Sequence, residues 1–498
     1  MKKLIARLKE LLLHNRSTKQ IVAKNVFWLS FGQISSRGLR AIIIIYAARV
    51  LGTETYGVFS YALGLAGFFT IFADIGINPI LTREAAQKPE QAKEYFATSF
   101  IIKVLLLTGT ALLVIFVAPF FSKIEAAKAL IPLVALLVIF DNVRELCNSF
   151  FRAKDKMEWE ALVTILTNVS IVISGFIILY FSKTAYGITA TYIASAGTGM
   201  LVAVMLLKRN FMSIPSTFNK MLMKPIMRSA WPIAFSSLIG AFMINVDVIM
   251  LGRMRSAAEI GLYAAGQRIV QVLYLLPAIF ASALYPTLSR LAKNEESEHE
   301  SSIIEKSMAL TFMIAAPIVM GGIILGKPII ALLFGNDYLA GTLSFQILIT
   351  TLITIFPTAF LSNLLIAHNK QKKVLVPTAT ASISNIIGNA LLIPYLGIAG
   401  AAITTIAVQV IYTGILWRIS QNIKQFHVIH RIKKTVIATV MMGVCAAIFQ
   451  TLHMPVLINI ILSGALYATF LLMIKEPLAK EALSIISKTL MLKTPLQQ

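Results

Sequence analysis

Charge is what this sequence has least of. Asp, Glu, Lys and Arg make up 13% of its 498 residues, about half the roughly 25% of a soluble protein. Scarcity on that scale excludes disorder, a coiled coil and an ordinary soluble enzyme. Cysteine is nearly absent: Cys147 and Cys445 lie far apart in apolar surroundings, which excludes a disulfide framework and a Cys-based metal site. The six histidines (His14, His299, His368, His427, His430 and His453) fall in tails or loops; His427 and His430 are three apart, but no Cys or acid completes a ligand set near that pair. No phosphate-binding glycine loop, Rossmann glycine pattern or nucleophile elbow occurs. No metal, cofactor or catalytic residue is therefore expected, and the chain does not read as an enzyme.

Apolar residue is what the sequence has in excess, at 57%, and it comes in runs of about 20 residues, the length that crosses a bilayer. The expected fold is an all-α polytopic membrane protein of about 14 transmembrane helices. The first two spans are placed at 25–48 and 57–81, the seventh at 229–251, and the eleventh and twelfth at 375–394 and 398–417. The net charge of +23 would suggest nucleic acid in a soluble protein. Here the cations are dispersed through short loops, so no nucleic-acid partner is expected. Most of them fall on the side that holds both termini, and only Arg49, Lys123, Lys128, Lys183, Arg253, Arg255 and Lys327 fall in loops on the other. By the positive-inside rule both termini are cytoplasmic. Residues 4–13 read either as a basic amphipathic helix on the inner leaflet or as a basic tail. The run Glu295, Glu296, Glu298, Glu300 reads as a solvated loop.

The two halves resemble each other in order. Leu51-Gly52 matches Leu251-Gly252, and Gly57-Val58-Phe59 matches Gly261-Leu262-Tyr263. Ala153-Lys154-Asp155-Lys156 matches Ala367-His368-Asn369-Lys370, and Tyr186-Gly187-Ile188 matches Leu396-Gly397-Ile398. This predicts two six-helix lobes related by a parallel repeat plus two extra C-terminal helices. The expected divisions are a basic segment at 1–24, lobes at 25–210 and 229–420 joined by a linker at 211–228, and the extra helices and tail at 421–498.

The stretch Ala48-Arg49-Val50-Leu51-Gly52, with Tyr56-Gly57-Val58-Phe59-Ser60, Ala73-Asp74-Ile75-Gly76-Ile77 and Arg83-Glu84, resembles the opening of the Wzx-like polysaccharide and oligosaccharide flippases. These are members of the multidrug/oligosaccharidyl-lipid/polysaccharide (MOP) exporter superfamily. The resemblance implies two lobes around a central cavity and alternating access in the cytoplasmic membrane. The implied substrate is a polyprenyl-diphosphate-linked oligosaccharide bound for surface polysaccharide, with a proton or sodium gradient or trapping of the product outside as the two open energy sources, and with polysaccharide polymerase and chain-length machinery as expected partners. A lipid II flippase and a MATE-type ion-coupled drug exporter are the alternatives within the superfamily.

Ionisable residues at membrane depth are costly, and so mark candidate sites. Arg37 and Arg40 share one face of span one beside Gln33, with no acid within a turn, and two such cations suit a diphosphate. Arg268, with Gln271, is the next substrate-binding candidate. Asp247 and Asn245 lie at similar depth, and an Arg268–Asp247 pair is one reading of them. Asp141, Arg144 and Glu145 share a face of span four, where Arg144 neutralises Asp141 and the remaining acid is free to carry a proton. Asp74 reads more as a helix-packing element than as a ligand. These six residues other than the arginines' own site — Asp247, Asn245, Asp141, Arg144, Glu145 and Asp74 — are the coupling-ion or ion-pair candidates. Lys103 is expected to snorkel to the inner surface.

Overall fold

The computed structural model describes residues 18–211, 218–294 and 297–481. The expected helix at 4–13 and the acids Glu295 and Glu296 lie outside the described residues. Among the described residues the regular structure is entirely helical. In chain order the α-helices are α1 (Thr18–Ala73), α2 (Ile77–Gln87), α3 (Ala92–Phe116), α4 (Glu125–Ala153), α5 (Met157–Phe181), α6 (Ala185–Asn210), α7 (Lys220–Met254) and α8 (Ala257–Leu273). They continue as α9 (Leu275–Asn294), α10 (Ser297–Ile324), α11 (Gly326–Phe334), α12 (Thr342–Thr350), α13 (Leu352–Ala367), α14 (Leu375–Gln421), α15 (Ile429–Thr451) and α16 (Val456–Met473).

Eleven of these helical stretches are long and apolar enough to cross a membrane, or twelve when the bent α7 is taken as one span. Two are too long to be single spans. At 1.5 Å per residue the 56 residues of α1 would reach about 84 Å, against a hydrocarbon core of about 30 Å. The helix is broken at Gly52, whose φ of 72° and ψ of 174° are not helical. The 47-residue α14 is broken in the same way at Gly397, with φ 58° and ψ −134°. Glycine occupies both breaks because a side chain at positive φ clashes with the backbone. Counting each broken helix as two spans is compatible with the expected fourteen.

The chain divides into two compact units, Met1–Ala264 and Ala265–Gln498. In the first, Ile77 and Leu81 of α2, Phe96 of α3, Phe150 and Phe151 of α4 and Leu207 of α6 form one buried core. In the second, Leu288 of α9, Met308 of α10, Phe360 and Leu364 of α13 and Leu416 of α14 do the same. The last two helices pack on α10 through Ala438, Met442, Tyr467 and Leu471. There the Tyr467 hydroxyl donates to the Met313 carbonyl at 2.8 Å. Phe116, Phe181, Met205 and Ile461 remain more than half exposed, as residues facing lipid tails do.

One matched segment folds alike in both units. Asp155 and Asn369 have φ of 53° and 57°, and each ends its helix with the same pair of turns. Lys156 N donates to Phe151 O at 2.9 Å, and Lys370 N donates to Leu365 O at 2.8 Å, the six-to-one bond of a left-handed helix cap. Glu300 departs from the sequence expectation. It is not on a solvated loop but in α10, its side chain 3% exposed, accepting from His368 at 2.8 Å and Lys424 at 3.3 Å. Burial of a carboxylate demands such partners.

Candidate functional site

In the N-terminal unit, α1 carries Gln33, Arg37 and Arg40 on one face, as their spacing requires. Arg40 and Gln33 are exposed and Arg37 is half-buried. Arg40 Nε donates to Asn168 Oδ1 on α5 at 3.4 Å. The orientation of that amide is fixed locally: its Nδ2 donates to the Thr164 carbonyl one turn earlier at 2.7 Å, which leaves the oxygen for Arg40. Among the described residues no carboxylate lies within 4.0 Å of Arg40. Its guanidinium therefore keeps most of its donors for another group.

The cations and acids of α4 are arranged differently, in pairs. Arg144 meets Asp141 at 3.0 Å one turn away, as the spacing predicts. Glu145 meets Arg152 at 2.6 Å. Arg152 also holds Glu160 of α5 with two N–H groups: Nε donates to Oε2 at 2.7 Å and Nη2 to Oε1. Asn148 Nδ2 donates to Glu145 Oε2 at 3.3 Å.

A further pair overturns the expectation for Lys103. Its side chain is 1% exposed and does not snorkel, because Asp74 lies 2.7 Å away. Asn78, on α2, donates its backbone N–H to Asp74 Oδ1 at 3.3 Å, so this carboxylate fastens α1, α2 and α3 together.

Asp247 is buried and accepts from the Tyr263 hydroxyl at 3.0 Å. Asn245 Oδ1 lies against Gly67, where an added Cβ would stand 3.2 Å from it. In the C-terminal unit Arg268 Nη1 donates to Gln271 Oε1 at 3.1 Å. The candidates thus form a cationic strip on α1, an acid–base cluster on α4, and polar contacts elsewhere. Asn168, Glu160, Arg152 and Asn148 were not singled out in the sequence. Glu160 and Arg152 sit at span ends and look like loop charges, and no spacing shows that one grips the other.

Outside the spans, two groups show how this surface treats charge. Burial pushes the Glu84 carboxyl up, but hydrogen bonds from Arg83 and Lys88 outweigh it and hold the group below its ordinary value. Burial, and then the charge of Lys93, push the Lys154 ammonium down. Chemically, the α4 cluster is largely self-neutralised, whereas the α1 strip offers positive charge to an anion.

Residues 22–292 match the family of polysaccharide biosynthesis proteins, and residues 232–394 match the MatE family. A probable low-salt glycan biosynthesis flippase of Haloferax volcanii is 23% identical over 77% of this chain and 80% of its own. A putative O-antigen transporter of Shigella flexneri is 23% identical over 67% of this chain and 81% of its own. The solved structure of the lipid II flippase MurJ in an inward closed conformation superposes with a TM-score of 0.69 at 19% identity. It covers 89% of this chain and 98% of that one, which shows a shared fold. A match over more than half of the sequence places this multi-pass membrane protein in the polysaccharide biosynthesis protein family of the MOP exporter superfamily.

Proposed function

We propose that the protein is a flippase that carries a polyprenyl-diphosphate-linked oligosaccharide across the cytoplasmic membrane by alternating access, for surface polysaccharide biosynthesis. Both termini are cytoplasmic in this reading, the sugar–diphosphate head group crosses through the protein, and the polyprenyl tail stays in lipid. The observation that carries it is Arg40: an arginine on the long apolar helix α1, held among the described residues only by an amide oxygen, beside Arg37 and Gln33. A diphosphate supplies the anionic oxygens that such a guanidinium lacks, and arginine grips them with two parallel N–H bonds. The glycan-flippase and O-antigen-transporter names of the relatives support the same substrate class.

Arg268 and Gln271 are the further substrate contacts in this reading. Asp247, Asn245, Asp141, Arg144, Glu145 and Asp74 are the coupling-ion or ion-pair groups. The lobes are assigned to 25–210 and 229–420, with polymerase and chain-length machinery taking the product. The test is translocation of labelled head groups into proteoliposomes. Polyprenyl-diphosphate oligosaccharide should cross in the presence of the protein and not in empty vesicles. Transport of lipid II alone, or of cationic drugs alone, would replace this reading with one of its rivals.

A further inference from the structure

The C-terminal unit holds a cavity of about 640 Å³ between the beginning of α10 and the connection at 422–428 that joins α14 to α15. That volume lies within the roughly 300–1,000 Å³ of small-molecule sites, which are mostly apolar. This one is mostly polar. Ser302 and Glu305 of α10 face Asn422, Lys424 and Gln425 of the connection, and Ile423 adds an apolar side chain.

Both charges in the lining are already answered. Glu305 accepts from the His427 N–H at 2.8 Å and from Arg431 Nε at 2.9 Å. Lys424 lies 3.3 Å from the buried Glu300, which also meets His368 at 2.8 Å. The hydroxyl and the amides are what is left. Among the described residues the side chains of Ser302, Asn422 and Gln425 make no hydrogen bond, and Asn422 and Gln425 are exposed.

The connection is held in shape before anything binds. Gln421 clamps it: Nε2 donates to Phe426 O at 2.7 Å, and Oε1 accepts from Phe426 N at 3.2 Å. Phe426 and Val428 are buried, and the Phe426 ring packs against Trp417 with centroids 5.1 Å apart. A segment so fixed loses little freedom when a ligand arrives, which favours recognition by a few polar contacts.

These features select a ligand class. An apolar molecule would desolvate the amides without pairing them. An anion would stand beside the Glu305 carboxylate, with the one lining cation committed to Glu300. A metal ion would find a single lining carboxylate, itself held by Arg431. A neutral polyol meets every condition. Its hydroxyls donate and accept in turn, as serine and the amides do, and its C–H face is suited to Ile423.

We propose that this cavity is a saccharide site, which receives a sugar unit of the lipid-linked head group on the cytoplasmic face. The head group and the face rest on the flippase reading and on the distribution of cations; the saccharide chemistry rests on the cavity alone.

The test uses the purified full chain in nanodiscs of zwitterionic phospholipid, free of sugar-based detergent. Saturation-transfer NMR is run with free glucose, galactose, mannose, rhamnose and N-acetylglucosamine, each with and without pyrophosphate. Wild type should transfer saturation to at least one sugar, and pyrophosphate should not displace it. Asn422→Ala with Gln425→Ala should bind that sugar about tenfold more weakly, through the loss of two hydrogen bonds. Its melting midpoint should not change, because both side chains are exposed. Ser302→Trp, which fills the cavity, should abolish binding, and Arg37→Ala with Arg40→Ala should leave it intact. Three results overturn the proposal: no transfer to any of the sugars, displacement by pyrophosphate, or undiminished binding by the Asn422 and Gln425 double variant. Failure of the flippase reading would show instead as sugar binding, lost in the cavity variants, by a protein that translocates no lipid-linked oligosaccharide.

Discussion

Gly57 and Gly261 meet in a contact whose two sides are alike. A Cβ at Gly57 would strike the carbonyl oxygen of Ala257, and a Cβ at Gly261 would strike that of Thr53. Each glycine lies one helical turn after the residue whose carbonyl blocks the other, and the two belong to the matched segments Gly57-Val58-Phe59 and Gly261-Leu262-Tyr263.

Gly57→Ala and Gly261→Ala should each lower the melting midpoint, since forcing a methyl into a filled contact costs about 1–3 kcal/mol. Gly109→Ala on α3, where a Cβ meets nothing within 4 Å, is the control. It should be neutral or slightly stabilising by removing glycine from a helix. Equal losses at all three positions would show that the contact is not tight.

The Asp74–Lys103 pair should respond unequally to loss of its members. Asp74→Asn leaves a fully buried ammonium without its counter-charge and should cost about 3–5 kcal/mol. Lys103→Met leaves Asp74, which is 29% exposed and still bonded to the Asn78 N–H, and should cost less. The double variant should recover most of the loss, and denaturation of all three in one detergent measures it.

Asn369 holds a left-handed backbone conformation at the end of α13. Asn369→Val should lower stability by about 1–2 kcal/mol, the cost of a side chain at that conformation, and Asn369→Gly should not. Asp155 is a poorer test because its carboxylate also accepts from Asn25 at 3.2 Å.

Glu84 should contribute to the acid limb of stability. Its carboxyl lies below its ordinary value when folded, so its contribution is complete above the unfolded value and is lost as pH falls through the folded one. Glu84→Gln should flatten the fall of the melting midpoint in that acid window and leave the neutral range unchanged.

The apolar spans, the facing of Arg37 with Arg40 and of Asp141 with Arg144, and the shared turn at Asp155 and Asn369 were all legible in the sequence. Each depends on periodicity or on residues close together in the chain. What was hidden depends on which helix lies against which. Lys103 looked near enough to the surface to escape, and only the placement of α3 against the end of α1 gives it Asp74. Arg152 and Glu160 looked like loop charges, and only the α4–α5 turn brings them together. Asn168, one polar residue among many on α5, gains its role from Arg40 alone.

The most direct test of the account is translocation of labelled polyprenyl-diphosphate oligosaccharide by wild type and by Arg37→Ala with Arg40→Ala in the same proteoliposomes. Wild type should transport, and the double variant, folded and inserted to the same extent, should lose at least tenfold in rate, the equivalent of about 1.4 kcal/mol. Arg37→Lys with Arg40→Lys should restore part of the loss. Undiminished transport by the alanine variant would contradict a cationic α1 site for the diphosphate and return the two arginines to packing.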